Sequence, residues 1–340
     1  MPEFNCAATL IGSLPHTDAA AACAGINKYM LDLPAWPQLP MRSNLENMYI
    51  QFSQGYPGVA VDGQKIHIER GADFDRALEQ LYYDWSDAKT GGYAIDREHA
   101  SGLYGMADSH RADLPLAKGQ ICGPVSWGLC VSDEAGKGII YDDTLADAVG
   151  KFLKLKAAWL ENYMQSFSKK TVIFVDEPYL ASLGSAFVAL SNEQISGLLR
   201  EVLDGIKGVK GIHCCGGTDW SLLLNLPIDV ISFDAYNYLD SVLCYLPDLL
   251  SHVRKGRAIA WGIVPNEEEA LKKESAASLF DRFEDALSRI DGAGLPMRRL
   301  VRQGLVTPSC GLASLSTDAV EYVFSLLADI SSRARRKFDS

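Results

Sequence analysis

Seven short apolar runs recur along the chain, at residues 7–11, 119–125, 172–175, 209–214, 230–233, 258–264 and 305–307. They are rich in β-branched residues, and each ends in small or polar ones. Several are apolar at successive rather than alternate positions, the pattern of strands covered on both faces of a parallel sheet. Amphipathic helical patterns lie between them. Residues 142–167 form a long one, and 192–206 opens on a Ser191/Asn192 cap signal. Residues 267–290 begin with acidic side chains that suit a helix N-terminus, and 317–335 come last. Alternation of this kind implies a parallel sheet with helical crossovers. An eighth strand is expected near 39–42, after the Pro-rich stretch 34–40, and eight such units make a TIM (β/α)8 barrel. The alternative is an open doubly wound sheet, but no Gly-rich dinucleotide fingerprint follows the first strand. Residues 43–117 fit the barrel pattern worst. They hold the turn signal Val61-Asp62-Gly63-Gln64 and the alternating Lys65-Ile66-His67-Ile68-Glu69. We read 1–340 as a single domain, with 43–117 an insertion after the second strand region that folds over the barrel mouth.

With 32 Lys and Arg against 43 Asp and Glu, the formal net charge is −11. That balance repels nucleic acid and anionic membrane surfaces, so neither is expected as a partner. The one basic cluster, Arg333, Arg335, Arg336 and Lys337, reads as a helix C-terminus. Residues 1–5 lack a basic leader region, and the apolar run after them is broken by Gly12, Pro15 and His16. No stretch approaches the roughly 20 apolar residues of a membrane span. The cytoplasm is the expected compartment. There the eight cysteines should be free thiols or metal ligands rather than disulfides. Cys6, Cys23, Cys130 and Cys244 read as small hydrophobes.

The strongest chemical signal is Gly211-Ile212-His213-Cys214-Cys215-Gly216-Gly217. Residues two apart in an extended segment point to one side, so His213 and Cys215 can face one ion. Imidazole and thiolate suit zinc. Alone, the pair reads more readily as a core histidine beside inert cysteines. Two further groups change that balance: Asp234 closes the strand 230–233, and Cys310 follows the last strand. In a parallel barrel all strand C-termini lie on one face. His213, Cys215, Asp234 and Cys310 then form a ligand set of two sulfurs, one nitrogen and one oxygen.

Phe174-Val175-Asp176-Glu177-Pro178 sets two carboxylates at another strand end, either as site groups or as a helix cap. Ile11-Gly12-Ser13-Leu14-Pro15-His16 offers a close backbone approach and a hydroxyl, or an ordinary turn. Trp127, after Gly123-Pro124-Val125-Ser126, is either a stacking wall over the site or a core aromatic.

In this order, Ile11-Gly12-Ser13, Gly123-Pro124-Val125, Val175-Asp176-Glu177-Pro178, His213-Cys214-Cys215, Val230-Ile231-Ser232-Phe233-Asp234 and Pro308-Ser309-Cys310-Gly311-Leu312 resemble the C-terminal catalytic barrel of cobalamin-independent methionine synthase. The wider superfamily includes uroporphyrinogen decarboxylase and zinc-dependent methylcobamide:thiol methyltransferases. The resemblance implies that His213, Cys215 and Cys310 bind Zn2+, with Asp234 standing where the family has a Glu. It implies that Asp176, beside Glu177, holds the amino group of a thiol substrate, homocysteine in the family. Ile11, Gly12 and Ser13 would hold the substrate's carboxylate. There are departures. Ser182 stands near the place of a folate-serving glutamate, and residues 261–266 lack the family's proton-donating histidine. A homocysteine-binding glutamate near the second strand is replaced around Arg42-Ser43-Asn44. The length leaves room for one barrel rather than the family's two.

The reading that follows is a zinc-dependent S-methyltransferase acting on a small-molecule thiol. With the folate residues missing, a methyl-corrinoid protein becomes the candidate donor. A uroporphyrinogen decarboxylase-like enzyme would need basic groups around its pocket, and only Arg42 qualifies. A zinc-binding barrel without catalysis is the third class.

Overall fold

All seven apolar runs form parallel strands. The computed structural model describes residues 2–110, 114–185 and 188–338. Its strands are β1 (Ala7–Ala8), β2 (Val59–Asp62), β3 (Lys65–Ile68), β4 (Ala117–Cys122), β5 (Thr171–Asp176), β6 (Val209–Cys214), β7 (Val230–Phe233), β8 (Ala258–Val264) and β9 (Leu305–Pro308). Seven of them make one curled parallel sheet in the order β1-β9-β8-β7-β6-β5-β4. This is an α/β architecture compatible with a TIM-like barrel.

The two edges of that sheet, β1 and β4, are joined by residues 34–38. Lys118 N donates to Pro34 O (2.9 Å) and Trp36 N to Lys118 O (3.2 Å). Gln38 N donates to Gly12 O (3.0 Å) and Leu14 N to Gln38 O (2.9 Å). The eighth pairing segment therefore lies before 39–42, and residues 40–42 form a turn. Proline explains the irregularity. Pro34, Pro37 and Pro40 lack an N–H, so no regular ladder can run through them.

Alternate residues of a strand share a face. Val172, Phe174 and Asp176 of β5 thus lie on one side, and the first two join Ala7, Val230, Ala258, Ala260 and Leu305 in a small apolar cluster. The larger cluster packs the opposite faces of the strands against the helices. Burial on both sides is why these strands read as continuous apolar runs.

The helices follow their expected patterns, with one break. Asp143–Met164 and Asn192–Asp204 form, the latter behind a capping box of Ser191 and Gln194. Residues 267–290 are two helices, Glu268–Leu271 and Ala276–Asp291, because Ser275 and Ser278 cap a fresh N-terminus between them. Thr317–Phe338 closes the chain, and its basic end is paired: Arg333 with Asp329 (3.2 Å) and Arg335 with Asp32 (2.6 Å). Within 43–117, β2 and β3 pair as the expected antiparallel hairpin. Residues 111–113 of that segment lie outside the described residues. Among the described residues no helix is long and apolar enough to cross a membrane. None of the eight cysteines forms a disulfide, and Cys244 is exposed rather than packed, since it ends the helix Ala235–Leu243.

One buried ring outside the site should make the fold acid-sensitive. His252 is 1% exposed, and its Nε2 lies 3.1 Å from Ala258 O. Burial pushes its pKa down from 6.5 to about 4. A depressed base stabilises the fold above its unfolded pKa, and that contribution is lost as pH falls through the folded one. The ring should therefore remove about 3 kcal/mol between pH 7 and pH 4. Urea unfolding at both pH values should give a shallower loss for His252→Gln than for the parent chain. Equal losses would assign the acid sensitivity elsewhere.

Candidate metal centre and adjoining cavity

The C-terminal ends of β5 and β6 and the loop after β9 converge. Asp176 pairs in register with His213 across β5 and β6. His213 Nδ1 lies 2.9 Å from Ser232 Oγ on the neighbouring β7. That contact fixes the ring and leaves Nε2 buried with no hydrogen-bond partner. The ligand atoms of His213, Cys215 and Cys310 all lie within 4.8 Å of one another. A histidine nitrogen oriented by an outer hydroxyl, facing two thiols, is a donor set that can hold a metal ion. The orphaned Nε2 supports the fit, because a buried nitrogen without a partner is otherwise unfavourable.

The two thiols share their protons unequally. Cys215 is driven down to about 4, first by its hydrogen bond with Cys310 and then by His213. Cys310 is driven up, first by the same bond and then by burial. Cys214 points the other way. It is packed in the large apolar cluster, and burial raises its pKa to about 12.

Asp234 is not part of the trio. Its Oδ1 accepts from Asn237 N (2.8 Å) and its Oδ2 from Asn237 Nδ2 (2.7 Å), which caps the helix Ala235–Leu243. Both oxygens are engaged locally, as expected of an N-cap aspartate.

A cavity of about 330 Å3 opens beside the trio, lined by Ile11, Ser13, Glu46, Asp176, His213, Cys215 and Cys310 among others. Asp176 Oδ1 is buried there without a hydrogen-bond partner. Burial pushes this carboxyl up to about 6, against the pull of the Lys118 and His213 charges. Lys118 is itself fully buried and donates to Ile11 O (2.7 Å), so it fixes the backbone of the Ile11-Gly12-Ser13 turn. Gly12 is needed at that turn. A Cβ there would lie 2.6 Å from Gln38 Oε1 and 2.7 Å from the Gln120 amide.

Glu177 and Trp127 are placed elsewhere. Glu177 accepts from Val125 N (2.9 Å), Ser126 N (2.8 Å) and Ser126 Oγ (2.6 Å), which holds the N-terminus of the helix Pro124–Cys130. Trp127 is fully buried against Tyr56 and Phe152, and its Nε1 donates to Tyr49 O (3.0 Å). Neither lines the cavity.

Glu46 does line it, although the sequence offered no carboxylate around 42–44. Its side chain is fully buried and accepts from Ser101 Oγ (2.5 Å), Arg42 Nη1 (2.8 Å) and Leu39 N (3.1 Å). Burial raises its pKa against these three bonds. Asn47 caps the helix that follows, so a cap-like Ser43…Asn47 stretch enclosing one acid was the available signal.

No family model matches the sequence, and no curated protein matches it. Solved structures do share the fold. A B12-independent methionine synthase from Shewanella sp. W3-18-1, in complex with selenomethionine, superposes with a TM-score of 0.63 at 17% identity, over 98% of this chain and 98% of that one. A methyltransferase from Methanosarcina mazei superposes with a TM-score of 0.54 at 12% identity, over 96% of this chain and 87% of that one. At these identities the likeness extends to the fold.

Proposed function

We propose that this chain is a zinc-dependent S-methyltransferase that methylates a thiol amino acid, homocysteine in the first instance, to give methionine. The observation that carries the reading is one cavity that brings together two complementary sets of groups. One is His213 Nε2 with the sulfurs of Cys215 and Cys310. The other is the unpartnered Oδ1 of Asp176, with Glu46 also lining the cavity. A thiol amino acid has a sulfur for the first set and an ammonium for the second. That a neighbour in fold holds selenomethionine supports the same class of ligand.

His213, Cys215 and Cys310 would hold the ion. When bound, zinc keeps a thiol ionised at neutral pH, where a free thiol with a pKa of about 8.5 is mostly protonated. Asp176 would orient the ammonium and so aim the sulfur. The Ile11-Gly12-Ser13 turn, braced by Lys118, would take the carboxylate. The sulfur then forms a bond to the methyl carbon in line, and the carbon–donor bond breaks with its electron pair left on the donor. A corrinoid protein is our candidate donor, with 43–117 as an insertion that docks it over the mouth of one barrel domain. Free cysteine ligands suit the cytoplasm.

A decarboxylase of the uroporphyrinogen type is disfavoured, because among the described residues no Arg or Lys lines the cavity and Arg42 is held by Glu46. The test is metal content together with a donor screen. The purified chain should carry about one zinc and methylate homocysteine from methylcobalamin, a methyl-corrinoid protein or methylfolate. Thiol binding without turnover by any donor would favour a non-catalytic zinc barrel, and a metal-free chain at full activity would sink both.

A further inference from the structure

Cys310 sits in the loop that leaves β9, and that loop has no regular structure of its own. A single side chain from the end of β8 grips it on both sides. Ser309 Oγ donates to Asn266 Oδ1 (2.9 Å), and Asn266 Nδ2 donates to Gly311 O (3.3 Å). One amide thus holds the residue before Cys310 and the residue after it. The backbones are closely fitted at the same place. Ser309 N donates to Val264 O (2.8 Å), and a Cβ at Gly262 would lie 3.0 Å from Ser309 Cα. On the far side of the loop Leu312 N donates to Ser13 O (2.8 Å).

We propose that Asn266 is the positioning residue for Cys310: its amide brackets the loop, sets the sulfur opposite His213 Nε2 and Cys215, and thereby tunes the chain's affinity for its metal. The inference rests on the metal reading of the trio. Asparagine suits the task because it carries a donor and an acceptor in one planar group. Aspartate keeps the acceptor for Ser309 and loses the donor to Gly311. Alanine loses both.

The test is Zn2+ affinity by chelator competition, with thiolate-to-metal absorption of the Co2+-loaded protein as a second readout. Asn266→Ala should bind Zn2+ about 10- to 100-fold more weakly, the range for outer groups that orient ligands. Its Co2+ absorption should weaken. Asn266→Asp and Ser309→Ala should fall between it and the parent. Adding Ser309→Ala to Asn266→Ala should change little more, because both act through one clamp. Asn266→Ala at parental affinity and spectrum overturns the proposal, even if its metal-free form melts lower, since that is a structural role alone. If Asn266→Ala does not fold, parental affinity in both Asn266→Asp and Ser309→Ala overturns it instead. A parent chain that binds neither ion overturns the metal reading and this proposal together.

Discussion

Cys310→Ser should abolish methyl transfer and strip most of the metal while leaving the fold intact. The hydroxyl stays protonated at neutral pH, so one of the three proposed protein ligands is lost. Structural zinc sites hold the ion by about 10–16 kcal/mol, and a third of that is about 3–5 kcal/mol, or roughly 200- to 5,000-fold in affinity. The loop bearing Cys310 is only partly buried, so the metal-free variant should unfold within about 0.5 kcal/mol of the parent. Cys214→Ser supplies the contrast. Its sulfur belongs to the apolar cluster behind the strand, so that change should destabilise the chain and spare the metal. Elemental analysis and urea unfolding of the two variants separate a cysteine of the cavity from a cysteine of the apolar cluster. Full zinc and full turnover in Cys310→Ser would remove the basis of the metal centre.

One half of that contrast was legible in the sequence because strand geometry is periodic, while the role of Cys214 was left open. The H-x-C spacing sends His213 and Cys215 to one side and Cys214 to the other. The seven sheet strands were located by a different pattern, since burial on both faces leaves a continuous apolar run. Where the partner is distant in sequence, the pattern carries no information. Glu177 binds the amides of Val125 and Ser126, about fifty residues earlier, and nothing in its own neighbourhood says so. Trp127 is a core aromatic because Tyr56 and Phe152 meet it from two other segments. Asp234 was ambiguous for a local reason. An aspartate three residues before an asparagine at a helix start is also a cap, and the cap is what the carboxylate makes. The closing segment 34–38 was displaced from its expected place because prolines hide strand character. Glu46 was hidden because polar, aperiodic stretches offer no face to assign.

Asp176 is the residue whose charge can be tested most directly. Asp176→Asn keeps size and shape and removes one charge from the cavity wall. Its Oδ1 has no hydrogen-bond partner in the protein, so the substrate ammonium is the partner we assign to it. Breaking a buried ion pair by removing one member is unfavourable by about 3–5 kcal/mol. The kcat/KM for homocysteine should therefore fall roughly 100- to 5,000-fold, mostly as a higher KM. Zinc should stay, because Asp176 is not among the three clustered donors. A thiol lacking the amino group should lose little, because it never used the charge. The pH profile gives an independent check. With the carboxyl raised to about 6 by burial, protonation removes its charge as pH falls through that value. The parent kcat/KM should drop on the acid side there, and the Asn variant should lack that limb. An Asn variant with parental KM and the same acid limb would show that the ammonium is held elsewhere, with Glu46 the other carboxylate among the described residues lining the cavity.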